Sequence, residues 1–283
     1  MTYKEMNDRL LNKLSIYLNE YSDYIKKEDI DSMLDVLDNE KECYSYLLAT
    51  ILGLDIDNED RELFSNYFPK MVNHLRTEDY LSNPYLNNIK INHIKGKNWE
   101  FRKASYKPYE AFVCDDFLND NGKIIPQIGF FSEKYSFPAV YQNDRLWMSI
   151  VPNEVNTMKE DLNKIEGNIL VCGLGLGYFS YMASLKAKVS SITIVEIDEE
   201  VIDLFKTFIL PQFEYKDKIK LIKADAVSYI KNNYKAYDYV YIDLWHDVSD
   251  GLPIYLDLVD LRKNEKKTKF LFWIEKTMKC YVK

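Results

Sequence analysis

Ile169-Leu170-Val171-Cys172-Gly173-Leu174-Gly175-Leu176-Gly177-Tyr178-Phe179 is an apolar run of strand length that meets three alternate glycines and then turns helical. A short fully apolar run bounded by glycine is the pattern of a strand buried on both faces. Glycines directly after it permit a tight turn into a helix and the close approach of a ligand, with no Cβ in the way. Such a turn is weak evidence by itself. Its context supplies the rest: Ser191-Ile192-Thr193-Ile194-Val195-Glu196 is a second strand ending in a carboxylate, where a Rossmann site accepts hydrogen bonds from ribose hydroxyls. Lys220-Leu221-Ile222 is a third strand, followed by Asp225, and Tyr237 to Asp243 is a fourth. Helices are expected over 178–185, 199–208, 227–232 and 251–262. Strands spaced by helices in this way require crossover connections and a parallel sheet.

The ligand class follows from what the glycine run lacks. In the dinucleotide pattern G-x-G-x-x-G counted from Gly173, the last position is Tyr178, too large for the close helix–strand packing of a pyrophosphate turn. No G-x-x-x-x-G-K-[ST] run is present, so a P-loop is unsupported. A nucleoside ligand without phosphates fits better.

Upstream the texture differs. Residues 1 to about 95 read as helical. One stripe runs through Leu10, Leu14, Tyr17, Tyr21 and Tyr24, and a second through Leu34, Leu37, Tyr44, Leu48, Ile51 and Leu52 to a C-cap at Gly53. A third helix starts at the acidic run Asp57 to Asp60 and reaches Phe68, where Pro69 is expected to break or kink it. From Trp99 to Val151, short alternating runs and the turn signal Asn121-Gly122 predict hairpins of a small antiparallel sheet. The expected organisation is a helical domain over 1–98, a small β segment over 99–151 and a Rossmann-like domain over 152–283. The fold class is therefore α/β.

Composition narrows the function. A net charge of −8 argues against a groove that tracks nucleic-acid phosphates. No apolar stretch is long enough for a membrane helix, and the N-terminus has no secretory h-region. Cys43, Cys114, Cys172 and Cys280 have no paired short spacing, which fits a reducing cytoplasm better than a disulfide scaffold or a zinc site. The expected partner is a small-molecule acceptor, with neither nucleic acid nor membrane.

The run Ile169 to Phe179, then Val195-Glu196-Ile197-Asp198-Glu199-Glu200-Val201-Ile202, Ala224-Asp225-Ala226 and Tyr237 to Asp243, resembles the successive motifs of class I S-adenosylmethionine-dependent methyltransferases. Within that superfamily the sequence is most similar to spermidine synthases. It shares Val-Glu-Ile-Asp before a Val-Ile helix, Leu210-Pro211 before the third strand and an apolar Val171 where many methyltransferases carry an acid. The resemblance implies S-adenosylmethionine as cofactor. Gly173, Gly175 and Gly177 would line its methionine portion, Glu196 would hold the ribose, and Asp225 with Ala226 would meet the adenine. Asp243 would sit at the reacting centre, with His246 as a candidate general base. Asp243, His246 and Asp247 lack a second acidic pair, so no metal site is expected.

Two departures matter. Spermidine synthases carry an Asp where this chain has Leu176, and Asp243-Leu244-Trp245-His246-Asp247 replaces their Asp-Ser-Ser-Asp-Pro. The sequence therefore favours methyl transfer to a small acceptor. Aminopropyl transfer comes second, and a nucleoside-binding protein without turnover is an alternative of another class. Phe270, Ile274, Met278 and Tyr281 recur at helical spacing, so the sheet is expected to be shortened at its C-terminal end. Tyr239 to Ile242 would then form its edge, covered by the 99–150 segment or by a second copy in a homodimer.

Overall fold

The computed structural model describes residues 3–118 and 124–282. In chain order, α1 (Tyr3–Glu20), α2 (Lys27–Met33), α3 (Glu40–Ile51) and α4 (Arg61–Met71) lead into β1 (Val72–Leu75), α5 (Thr77–Leu81) and α6 (Pro84–Asn88). The strands β2 (Ile94–Lys95), β3 (Trp99–Tyr106), β4 (Phe112–Leu118), β5 (Ile124–Phe131), β6 (Tyr135–Gln142) and β7 (Arg145–Ser149) follow. Then come α7 (Pro152–Lys164), β8 (Gly167–Cys172), α8 (Tyr178–Ser184), β9 (Val189–Glu196), α9 (Glu199–Leu204), β10 (Ile219–Lys223) and α10 (Ala226–Asn233). The chain ends with β11 (Tyr239–Ile242), α11 (Val248–Asn264), β12 (Lys269–Phe272) and α12 (Glu275–Lys279). No helix of the described residues is long and apolar enough to cross a membrane.

Two compact units emerge, and they cut across the boundaries expected at 98 and 151. One comprises 1–81 with 105–136, the other 82–104 with 137–283. The β segment is not one sheet. Strands β4 and β5 join β1 in the first unit, in the order β1-β5-β4, whereas β2-β3-β6-β7 form a separate sheet. The Asn121-Gly122 turn lies outside the described residues.

In the first unit, Leu10, Leu14 and Tyr17 form the buried stripe of α1, but the helix ends at Glu20. Tyr21 and Tyr24 therefore leave the stripe and stand exposed. Only the later part of the second expected stripe is helical: Tyr44, Leu48 and Ile51 lie on α3, whereas Leu34 and Leu37 fall in the turn between α2 and α3. Gly53 does cap α3, at φ 60°. Helix α4 runs through Pro69 to Met71, because a proline this close to the helix end removes only a terminal backbone bond. β1 was not legible as a strand, since four residues beside a helix carry no period of their own.

The second unit holds a five-stranded sheet of order β10-β9-β8-β11-β12, parallel throughout. This is the Rossmann-like arrangement expected of the α/β class, with the order reversing between β8 and β11. One expectation fails. Phe270 to Phe272 belong to β12, which pairs in parallel with β11 from Tyr239↔Lys269 to Ile242↔Phe272. The helical spacing arises because Met278 lies on the separate α12, with Ile274 and its φ of 49° turning the chain between strand and helix. β12 thus fills the edge for which the 99–150 segment or a second copy was expected.

Candidate functional site

The carboxyl ends of β8 and β11 are where a sheet of this order opens a crevice for ligands. Gly173 leaves β8 at φ 95°, and a Cβ built on it would stand 2.1 Å from the carbonyl oxygen of Asp243. The glycine is thus required by the backbone of the neighbouring strand end as well as by its own conformation. Asp243 N–H donates to the Cys172 carbonyl at 3.0 Å, which locks the two strand ends together.

Glu196, at the end of β9, accepts from Leu174 N–H (3.2 Å), Ile197 N–H (2.7 Å) and Asp198 N–H (2.9 Å). It pins the glycine loop to the second strand. Burial pushes its carboxyl up, against the opposing pull of these backbone donors. Ile197 beside it is 65% exposed, an aliphatic face left open next to the carboxylate. Asp225 is exposed at the end of β10 and caps α10, accepting from Ser228 N–H at 2.8 Å, which holds it below its ordinary range. Ala226 is the buried first residue of that helix.

The loop's other two glycines meet the protein's own side chains. Gly177 lies under the Phe205 ring, and the space a Cβ on Gly175 would take is held by the Met148 sulfur of β7. Leu174 and Leu176 are buried, and the Leu176 carbonyl accepts from Tyr85 O–H at 2.6 Å. Tyr178 packs inside with its hydroxyl on Asn83, so it is not a wall of an open pocket.

The sheet β2-β3-β6-β7 reaches over these strand ends. Glu200 accepts from Lys97 and Asn98 N–H, and Trp99 Nε1 donates to Asp198 at 2.8 Å. Trp99 meets Trp147 edge to face at 5.5 Å, and Trp147 meets His246 at 4.1 Å. An aromatic arch therefore spans from the end of β9 to the loop after β11.

That loop is built differently from the glycine turn. His246 Nδ1 lies 3.0 Å from Asp250, whose carboxylate also accepts from the His246 and Asp247 N–H groups. Asp247 is the N-cap of α11. The ring of His246 is thereby fixed, while its Nε2 is buried with no partner. The same holds for Trp245 Nε1 and for the hydroxyl of Tyr241, whose ring stacks on Phe179 at 3.6 Å. Burial pushes the Asp243 carboxyl up to about 7.

Glu154, in the first turn of α7, was not anticipated. Burial, with Asp243 as a neighbouring like charge, pushes it up to about 8. Its position relative to Asp243 depends on how α7 lies on the sheet, and no local motif announces that. Trp99, Trp147 and Met148 were missed for the same reason. No group of three or more His, Cys, Asp or Glu among the described residues is arranged to hold a metal ion.

Residues 163–257 match the family described as spermine/spermidine synthase domain. The match runs from the end of α7 into α11 and leaves the rest of the chain uncovered. No curated protein matches. Among solved structures, the chain is similar to spermidine synthase from Thermotoga maritima, at 14% identity over 54% of this chain and 48% of that one, with a TM-score of 0.31. It is also similar to a candidate SAM-dependent methyltransferase from Streptococcus mutans (17% identity, 48% and 41%, TM-score 0.31). A third is a candidate O-methyltransferase from Klebsiella pneumoniae (18%, 36% and 46%, TM-score 0.28). The chain spans less than half the length of these structures. At these scores the fold is read from the sheet order itself.

Proposed function

We propose that this chain binds an S-adenosylmethionine-type nucleoside across the ends of β8, β9 and β10, and transfers a group from it to a small acceptor at Asp243. The observation that carries this reading is the convergence of the glycine loop, the Glu196 carboxylate and Asp243 at the point where the strand order reverses. The donor set fits the ligand. Glu196 offers a carboxylate edge for ribose hydroxyls, Ile197 an exposed apolar face for a base, and Asp225 an exposed acceptor for an exocyclic amine. A bound sulfonium donor supplies an electrophilic carbon. The residues of the chain orient the acceptor and take a proton at the Asp243 carboxylate.

Methyl transfer is the reading favoured for the reaction. Leu176 is fully buried and presents no carboxylate for the ammonium of a decarboxylated donor. Aminopropyl transfer is the second reading, favoured by the match of 163–257 to the spermine/spermidine synthase domain. Calorimetry with S-adenosylmethionine, its decarboxylated form and methylthioadenosine tests both. Tightest binding of the full donor supports methyl transfer, and spermidine formation from putrescine would reverse the ranking. Binding without turnover on any acceptor would leave a nucleoside-binding protein.

A further inference from the structure

The loop after β11 carries an imidazole whose two nitrogens are treated unequally. His246 Nδ1 lies 3.0 Å from the Asp250 carboxylate. The same carboxylate accepts from His246 N–H at 3.1 Å and from Asp247 N–H at 3.0 Å. Asp250 stands at the third position of α11 and Asp247 is its N-cap, so the two close a capping box. Capping accounts for the bond from Asp247. It does not account for the histidine ring on the same carboxylate. Burial works against ionisation of Asp250, yet the Asp247 N–H and the His246 ring hold its carboxyl below the ordinary carboxylate range.

An ionised carboxylate only accepts, so the neutral His246 ring carries its proton on Nδ1. Nε2 is then a bare lone pair, buried and without a partner among the described residues. The Trp147 ring meets the imidazole edge to face at 4.1 Å and Trp99 at 5.5 Å, and Trp99 bonds to Asp198 just past β9. His246 and the glycine loop therefore lie at the same, carboxyl end of the parallel strands. Trp147 sits on β7, the edge strand of its sheet, and is 39% exposed. The cover over His246 is thus a partly exposed side chain and not part of the core. Trp245, 5% exposed, likewise keeps its Nε1 unpartnered.

We propose that Asp250 fixes His246 as the Nδ1–H tautomer, and that Nε2 receives an O–H or N–H of the small acceptor. Asp250 is then a positioning residue that acts through His246. The contact selects acceptors carrying a hydroxyl or an amine over those alkylated there, because a bare lone pair gains nothing from a group with no hydrogen to give. The proton transfer itself stays at Asp243. The tautomer follows from the hydrogen bonds alone; that the group on Nε2 belongs to an acceptor rests on the transferase reading.

The chain has three histidines, so ¹⁵N imidazole spectra of the ligand-free full chain separate the rings, and His246→Gln identifies the one in question. With the ring neutral, His246 is expected in the Nδ1–H tautomer. Asp250→Asn keeps an amide oxygen for the backbone donors and turns an NH₂ toward the ring, which is expected to reverse the tautomer. Phenol and aniline, flat probes able to pack on Trp147, are expected to shift the Nε2 resonance, and anisole and N,N-dimethylaniline to leave it in place. Phenol binding should weaken about tenfold in Asp250→Asn, roughly the loss of one hydrogen bond. A ring in the Nε2–H tautomer, or one unmoved by Asp250→Asn, would overturn the fixing by Asp250. Equal shifts with all four probes, or none with any, would overturn the contact. If melts show Asp250→Asn unfolded, His246→Gln must instead abolish the preference for phenol over anisole in calorimetry, and a preference that survives counts against the contact. If tautomer and contact hold but neither S-adenosylmethionine nor its thioether product binds, the reading of the ring stands and the transferase reading falls.

Discussion

The two ends of the reversed strand order are finished in opposite ways. Around β8 and β9, the polar groups that build the turn are satisfied by the chain itself: Glu196 takes three backbone donors, Asp225 caps α10, and Asp243 N–H closes on Cys172. Around the end of β11, the Tyr241 hydroxyl, Trp245 Nε1 and His246 Nε2 are buried without partners, and burial pushes the half-buried carboxyls of Asp243 and Glu154 up. A buried polar atom left without a bond costs about 1–3 kcal/mol. The first half is a preorganised cradle. The second leaves buried polar atoms unpaired among the described residues.

The largest effect is expected at the seam between the halves. Gly173→Val needs a left-handed β-branched residue against a neighbouring backbone carbonyl, and should cost about 3–5 kcal/mol in urea unfolding. A loss below about 1 kcal/mol would mean that the loop and β11 are not locked together.

Glu196→Ala sharpens the cradle side. It should weaken S-adenosylmethionine binding by about 2–4 kcal/mol in calorimetry, because bonds to a charged acceptor are the strong kind. Affinity equal to that of the unaltered chain would remove the ribose assignment.

On the open side the sign reverses, since removing a charge should help the fold. Glu154 and Asp243 have folded-state pKa values raised above their unfolded ones. Their protonated forms therefore favour the folded state at low pH, and that contribution is lost as pH rises from about 4 through 7 to 8. Glu154→Gln should be more stable than the unaltered chain at pH 8, by about 1–3 kcal/mol, and no more stable at pH 4. Equal melting shifts at both pH values would contradict a Glu154 carboxyl raised by burial.

The smallest effect belongs to Asp225. Asp225→Ala should cost about 1 kcal/mol of stability through the lost cap. If the adenine assignment holds, nucleoside affinity falls as well. Stability loss with unchanged affinity would leave Asp225 a cap and nothing more.

The sheet was legible where local pattern and position in the chain coincide. The run from Ile169 to Gly177, Glu196 closing its strand and Asp243 closing another are each set by residues next to one another, so spacing alone exposes them. β12 was misread because Phe270, Ile274 and Met278 fit a helical period by chance. Parallel pairing to Tyr239–Ile242 then overrode that period, since pairing completes a row of backbone bonds that would otherwise be exposed.

By itself, then, the sequence determined the parallel α/β unit, its glycine turn and the order of its strand-end carboxylates, because these depend on short-range backbone geometry and the alternation of apolar runs. Only the tertiary structure decided that the 99–151 segment serves two sheets, that Met148 lies on Gly175, and that Trp147 meets His246. Those are contacts between residues far apart in the chain. They are fixed by how helices and sheets bury one another, and the linear spacing of side chains carries no record of that.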